Sequence, residues 1–210
     1  MDRETEDYIL RHSSKEDPIL EDLYRQTYLK FVNPNMTSGH IQGKLLELLA
    51  KMINPLNILE IGTYTGYSAI SLARGLREEG RLVTIECNDE LADFSREYFI
   101  RAGVGKKILQ LIGKAQDLVP GLDMQFGLVF IDGDKREYCE YFRMVIDKVE
   151  PGGYILADNV LWGGKTLDIN TRDQQTRGII SFNEMITREK GIENIILPVR
   201  DGLMIIRKCE

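Results

Sequence analysis

Asn57-Ile58-Leu59-Glu60-Ile61-Gly62-Thr63-Tyr64-Thr65-Gly66-Tyr67-Ser68, running on into Ala69-Ile70-Ser71-Leu72-Ala73, changes its period midway. Ile58, Leu59 and Ile61 are a short apolar run of strand type, whereas Ile70, Leu72, Ala73 and Leu76 recur at helical spacing. A strand therefore enters a glycine turn and leaves as a helix, the form of a nucleotide-cofactor cradle. Gly62 permits a sharp turn and Gly66 a close backbone approach; Ser68 and the free N–H groups of the first helical turn face the carboxylate or phosphate held there. The glycine spacing is G-x-x-x-G, with Tyr64 where the dinucleotide fingerprint has its middle glycine, so a pyrophosphate fits poorly. Glu60 would repel a phosphate but suits a cofactor that carries an ammonium group, as S-adenosylmethionine does. On this stretch alone, an ordinary strand–turn–helix corner is an equally good reading.

The rest of the chain bounds the possibilities. Its 210 residues suit one α/β domain, residues 1–210, with a sizeable core. A composition of 43% hydrophobic and 29% charged residues is that of a globular protein, and no apolar run approaches the ~20 residues of a membrane span. The start, Met1 to Asp7, is acidic and polar and lacks the layout of a signal peptide, so a cytoplasmic location is expected. Cys87, Cys139 and Cys209 are odd in number and widely spaced, which indicates buried thiols rather than a disulfide framework or a zinc cluster. With only His12 and His40, a histidine-based hydrolase is disfavoured and a metal would fall to oxygen ligands. A net charge of −6 gives no electrostatic footprint for nucleic acid.

Asp17-Pro18 starts a helix whose stripe is Leu20, Leu23, Tyr24, Thr27, Tyr28 and Phe31. Residues 1–35 thus form a helical extension expected to shape an acceptor site or a dimer interface. The turn-rich segment from Asn33 to His40 leads into a second helix with Leu45, Leu46, Leu48, Leu49 and Met52 expected buried and Asn54-Pro55 as its stop. Strands are expected at 81–86, 107–112, 126–131 and 153–157, with helices at 89–102 and 137–149 between them; such alternation means a parallel sheet. A polar loop at 162–177, a helix at 179–188 and strands at 192–199 and 203–207 follow. Asp201-Gly202 between the last two marks a hairpin, an ending foreign to a dinucleotide-binding sheet.

In an open parallel sheet, ligands bind at the carboxyl ends of strands. Glu86 ends the second strand about twenty-five residues past the cradle, where a carboxylate can take both ribose hydroxyls. Gly113-Lys114-Ala115-Gln116, after the third strand, offers small residues beside an adenine ring. Asp132 ends the fourth strand and Asp158-Asn159 the fifth. Two carboxylates and an amide oxygen on neighbouring strand ends make a hard-oxygen site suited to Mg²⁺, with positions open for water and substrate. Lys135 is the nearby group able to accept a hydroxyl proton once neighbouring cations favour its neutral form; taken alone, it reads as a surface lysine.

Taken together, Glu60-Ile-Gly-Thr-Tyr-Thr-Gly-Tyr-Ser68, Thr84-Ile-Glu86, Gly113-Lys-Ala-Gln116, Phe130-Ile-Asp-Gly-Asp-Lys135, Leu156-Ala-Asp-Asn-Val160 and Leu197-Pro-Val-Arg-Asp-Gly202 resemble the cation-dependent O-methyltransferases, the family of caffeoyl-CoA and catechol O-methyltransferases. The resemblance implies a class I S-adenosylmethionine-dependent methyltransferase fold of Rossmann-like type, with a seven-stranded, mostly parallel sheet, helices on both faces and a homodimer. It implies a cofactor set of Ser38, Glu60, Gly62, Tyr64, Ser68, Glu86, Ala115 and Asp132, a metal set of Asp132, Asp158 and Asn159, and Lys135 as general base. Ahead of Gly43, His40-Ile41-Gln42 stands where the plant enzymes usually carry an acidic pair, and Gly133 replaces a commoner alanine.

The reaction implied is methyl transfer to a hydroxyl of a catechol-like or other small molecule with vicinal oxygens, with Trp162 and the loop after it as a lid that dries the site. Some bacterial relatives resemble this chain and methylate a hydroxylated uridine in tRNA; the acidic composition opposes that alternative. The missing middle glycine, Asp158-Asn159 and the terminal hairpin oppose a nicotinamide-dependent oxidoreductase. A non-catalytic S-adenosylmethionine sensor would have no reason to keep Asp132, Asp158, Asn159 and Lys135 together.

Overall fold

The computed structural model describes residues 3–209. Three helices, α1 (Arg3–Arg11), α2 (Pro18–Lys30) and α3 (Gly39–Ile53), precede the sheet. β1 (Asn57–Ile61), α4 (Tyr67–Ala73), β2 (Arg81–Glu86), α5 (Ala92–Arg101), β3 (Ile108–Ile112), α6 (Ala115–Leu118), β4 (Phe126–Ile131), α7 (Tyr138–Val145) and β5 (Val149–Asp158) then alternate. The chain closes with α8 (Gln174–Arg188), β6 (Ile192–Leu197) and β7 (Leu203–Lys208). The strands form one sheet of order β3-β2-β1-β4-β5-β7-β6. β1 to β5 pair in parallel, and β7 lies antiparallel between β5 and β6.

Alternation along the strands builds two apolar layers, because successive side chains point to opposite faces. Leu59, Ile61, Val83, Ile85, Val129 and Ile131 pack against Tyr138, Phe142, Ile179 and Phe182 of α7 and α8. Ile58, Leu82, Leu128, Phe130 and Leu156 pack against Leu23 of α2, Leu46 of α3 and Ile70 and Leu72 of α4. Every residue of α4 is buried. Among the described residues, no helix is long and apolar enough to cross a membrane.

The expected architecture matches, with local corrections. Within the N-terminal helical extension, α1 is a separate helix ahead of α2, polar and mostly exposed. Leu46 is buried, but Leu48 and Met52 are exposed, at 50% and 80%. The inward face of α3 is instead Gln42, Gly43, Leu46, Glu47 and Ala50, since small residues allow a close α3–α4 approach: a Cβ on Gly43 would lie 2.3 Å from the Tyr67 ring. Buried Glu47 is paired with Lys44 and Lys51. Cys87 is exposed and Cys139 and Cys209 are half-buried, so the expectation of buried thiols fails; Cys87 sits at a strand end, where the sheet opens. The helix after β4 stops at Val145, and the following strand starts at Val149, four residues earlier than its apolar run suggests, through Pro151 and the left-handed Gly152. In the polar loop, Trp162–Leu167 forms tight turns about left-handed Gly163 and Gly164, and α8 begins at Gln174, capped by Asp173.

Candidate active site

β1 and β4 lie side by side while their connections run to opposite sides of the sheet, so a crevice opens at their carboxyl ends. A cavity of about 980 Å³ occupies it. Of the residues singled out from sequence, Ser38, Gly62, Tyr64, Ser68, Glu86, Ala115, Asp132, Lys135, Asp158 and Asn159 line this cavity, as does Trp162. Glu60 does not; it lies fully buried beneath the cavity lining.

Gly62 turns at φ 102°, and a Cβ there would sit 2.3 Å from the Asp132 carbonyl oxygen, so the glycine lets the ends of β1 and β4 meet. Gly66, expected to approach a ligand, approaches the Phe99 ring instead: a Cβ would lie 2.5 Å from it. Tyr64, at φ 48°, donates its backbone N–H to Glu86 Oε2 at 2.7 Å and its hydroxyl to the Asn33 carbonyl at 3.1 Å. Glu86 Oε1 accepts from the Asn88 N–H at 2.9 Å. Two backbone donors thus fix the Glu86 carboxylate, and each oxygen keeps a lone pair for a ligand.

Glu60 Oε2 accepts from the Thr84 hydroxyl, while Oε1 is buried and without a hydrogen-bond partner among the described residues. Burial pushes its pKa up to about 8; the nearby Ser68 and Thr84 hydroxyls oppose the shift, and the Asp132 and Glu86 charges add to it. Beneath the cradle, this carboxyl with a free oxygen favours a cationic group in the cavity above it, since a nearby positive charge stabilises its ionised form.

Asp132 and Asp158 are held differently. Lys135 Nζ donates to Asp132 Oδ1 at 2.7 Å and to the Tyr138 hydroxyl at 2.7 Å. Asp158 Oδ2 accepts from Gln42 Nε2 at 2.7 Å, and its Oδ1 is buried with no hydrogen-bond partner among the described residues. Burial, with the Asp158 charge, raises the Asp132 pKa to about 6 against the pull of Lys135. Asn159 follows at φ 59°, a left-handed conformation that asparagine tolerates, and the turn after it is fixed by Val160 N–H to Gly202 O at 3.0 Å and Leu161 N–H to Asp201 O at 2.9 Å. Among the described residues no three His, Cys, Asp or Glu side chains form a metal cluster, so a cation here would rest on two carboxylates and an amide. The buried, unpartnered Asp158 oxygen beside a second carboxylate fits such an ion.

Three residues that sequence reading gave no role complete the site. Tyr138, fully buried, ties Lys135 to the carbonyls of Ile131 and Asp158, 3.2 and 3.0 Å away. Gln42 reaches Asp158 from α3, and Arg200 reaches Gln42 from the β6–β7 turn. Between Trp162 and α8 the loop expected as a lid puts no residue on the cavity wall; Gln175, in the first turn of α8, lines it instead.

A family model described as O-methyltransferase matches residues 10–209. The chain belongs to that O-methyltransferase family. Among its O-methyltransferase relatives, a protein of Niastella koreensis named catechol O-methyltransferase is 39% identical over 172 residues, covering 80% of this chain and 75% of that one. A caffeoyl-CoA O-methyltransferase of Petroselinum crispum is 34% identical over 190 residues, covering 82% and 77%. The solved O-methyltransferase TomG of Streptomyces achromogenes, in complex with S-adenosylmethionine, superposes with a TM-score of 0.89 at 34% identity, over 97% of this chain and 95% of that one.

Proposed function

We propose that this O-methyltransferase moves the methyl group of S-adenosylmethionine to a hydroxyl of a small acceptor bearing two adjacent oxygens, typically a catechol, at a site that holds a divalent cation such as Mg²⁺. The observation that carries the reading is the buried, unpartnered Oδ1 of Asp158 beside Asp132 and Lys135 in the cavity. Relatives named for catechol and caffeoyl-CoA methylation, and a neighbour solved with S-adenosylmethionine, support it.

In this reading Glu86 accepts hydrogen bonds from the ribose hydroxyls, Ala115 leaves room for the adenine, and the Glu60–Ser68 corner with Tyr64 and Ser38 receives the amino-acid end. Asp132, Asp158 and Asn159 hold the cation. When bound, a divalent ion supplies charge that favours the ionised form of a coordinated hydroxyl. In its neutral form Lys135 Nζ keeps its two N–H donors on Asp132 and Tyr138 and offers its lone pair to the hydroxyl proton, becoming the ammonium that pairs with Asp132; the two fixed partners hold the nitrogen facing the cavity. Adjacent acceptor oxygens allow two-point attachment, which fixes the aim of the attacking oxygen without ordering a further molecule. Trp162 lines the same cavity and, in this reading, borders the acceptor. The N-terminal residues 32–36 border the same space and shape acceptor choice. The proposed homodimer would use the N-terminal helical extension, residues 1–35, and the proposed location is the cytoplasm.

The test is methyl transfer from labelled S-adenosylmethionine to matched acceptors that differ in one hydroxyl, with Mg²⁺ or with chelator, and to bulk tRNA. Catechols should outpace monophenols by about a hundredfold, ~2.7 kcal/mol of barrier. Chelator should abolish turnover, and Asp158→Ala should abolish cation binding. Full rates in chelator remove the cation from the reading, and transfer to RNA alone replaces the acceptor.

A further inference from the structure

Asp158 belongs to β5, Gln42 to α3 and Arg200 to the β6–β7 turn, yet the three side chains form one chain of hydrogen bonds. Gln42 is buried to 1% exposure, so its amide must find partners within the protein. Its Nε2 donates to Asp158 Oδ2 at 2.7 Å and its Oε1 accepts from Arg200 Nη1 at 2.7 Å. Only this orientation works: a flipped amide would set NH₂ against the guanidinium and oxygen against the carboxylate. Arg200, itself at φ 49°, spends the same nitrogen on the backbone carbonyls of Thr37 and Ser38.

From this arrangement we infer that Gln42, oriented and polarised by Arg200, is a positioning residue that decides which oxygen of Asp158 faces the cation. The inference rests on the metal-dependent reading above. Two properties of the amide support it. It holds Oδ2 by a buried bond that the carboxylate would lose by rotating, and Oδ1 is the oxygen left without a protein partner among the described residues. It is also neutral, so it orders Asp158 without the compensating ammonium that Asp132 receives from Lys135. The cationic guanidinium acts one amide further away, where it strengthens the Nε2 donor through polarisation and does not occupy the carboxylate.

The experiment is Mn²⁺ binding to the purified full chain, followed by electron paramagnetic resonance without acceptor and read beside S-adenosylhomocysteine binding by calorimetry. Wild type should bind Mn²⁺, and failure to bind would remove the metal reading and this inference together. Gln42→Leu should bind Mn²⁺ about tenfold or more weakly. Gln42→Glu keeps the shape and the Arg200 partner, adds negative charge and removes the donor. It too should weaken Mn²⁺, whereas tighter binding would mean that net charge, not orientation, governs the site and would overturn the inference. Arg200→Met should give a smaller loss. Wild-type Mn²⁺ affinity in a folded Gln42→Leu or Gln42→Glu chain would leave the metal reading standing and sink the positioning role. A comparable loss in S-adenosylhomocysteine affinity for Gln42→Glu would also overturn it, by showing a general collapse of the crevice.

Discussion

The Tyr138 hydroxyl accepts a hydrogen bond from Lys135 Nζ at 2.7 Å, at the foot of the cavity where β4 and β5 end. Lys135 reads as a surface side chain in sequence but is 6% exposed in the structure. Two fixed partners hold it, Asp132 on one side and Tyr138 on the other.

If Lys135 is the proton acceptor, Lys135→Ala should fold and bind cofactor yet lose roughly 10²- to 10⁴-fold in kcat, with part of the rate returning at high pH as the acceptor ionises unaided. Tyr138→Phe should lose less activity but also about 1–2 kcal/mol of stability, since its hydroxyl pairs with buried groups. Unchanged turnover in the lysine variant would return it to the role of a structural ion pair.

Glu60 gives a pH dependence with a definite sign. Its folded-state pKa, about 8, lies above its ordinary 4.5, so between those values the folded chain holds the extra proton and the stability contribution is lost as pH rises. Cofactor-free Glu60→Gln should therefore melt higher than wild type above pH 8, with the gap closing toward pH 4.5. S-adenosylmethionine binding at pH 7 should release a proton in wild type but not in Glu60→Gln, because a cation against Oε1 favours the carboxylate. Calorimetry in buffers of differing ionisation heat reads that proton, and equal heats after buffer correction would place the ammonium elsewhere.

Glu86→Ala should weaken S-adenosylmethionine by about tenfold or more, ~1.4 kcal/mol, through loss of the ribose acceptor. The same change frees the Tyr64 and Asn88 N–H groups, so a control is needed. Glu86→Gln keeps an acceptor and should lose less; identical losses in both variants would make Glu86 a turn-former only.

Gly62→Ala should destabilise the fold on the order of 2–4 kcal/mol, because the added carbon meets a backbone carbonyl and φ 102° strains any side chain. Denaturant unfolding measures this. A loss below about 0.5 kcal/mol would show that the β1–β4 junction can spread.

The parts of the molecule legible in sequence are those whose causes are local. The β1 turn, the strand-end positions of Glu86, Asp132 and Asp158, and the final hairpin follow from period, glycine placement and an Asp-Gly pair. Most of the residues singled out converge on one cavity because a parallel sheet puts strand ends on one edge. Gln42 and Arg200 were illegible for the opposite reason: their roles depend on partners 116 and 158 residues away. Leu48 and Met52 misled because leucine count, not the helix-packing role of Gly43, was read as the inward face. Gly66 misled because its neighbour is Phe99, which nothing in the G-x-x-x-G spacing announces.

The placement of β7 between β5 and β6 also orders events in time. A growing chain can pair β1 through β5 as they appear, but Gln42 must wait for residue 200 before its carbonyl is satisfied, and Asp158 gains its antiparallel neighbour Leu203 later still. Contacts of such sequence separation form slowly, since loop closure precedes any gain. Refolding should therefore recover sheet signal before S-adenosylmethionine binding, with the catalytic edge the last part of the molecule to mature.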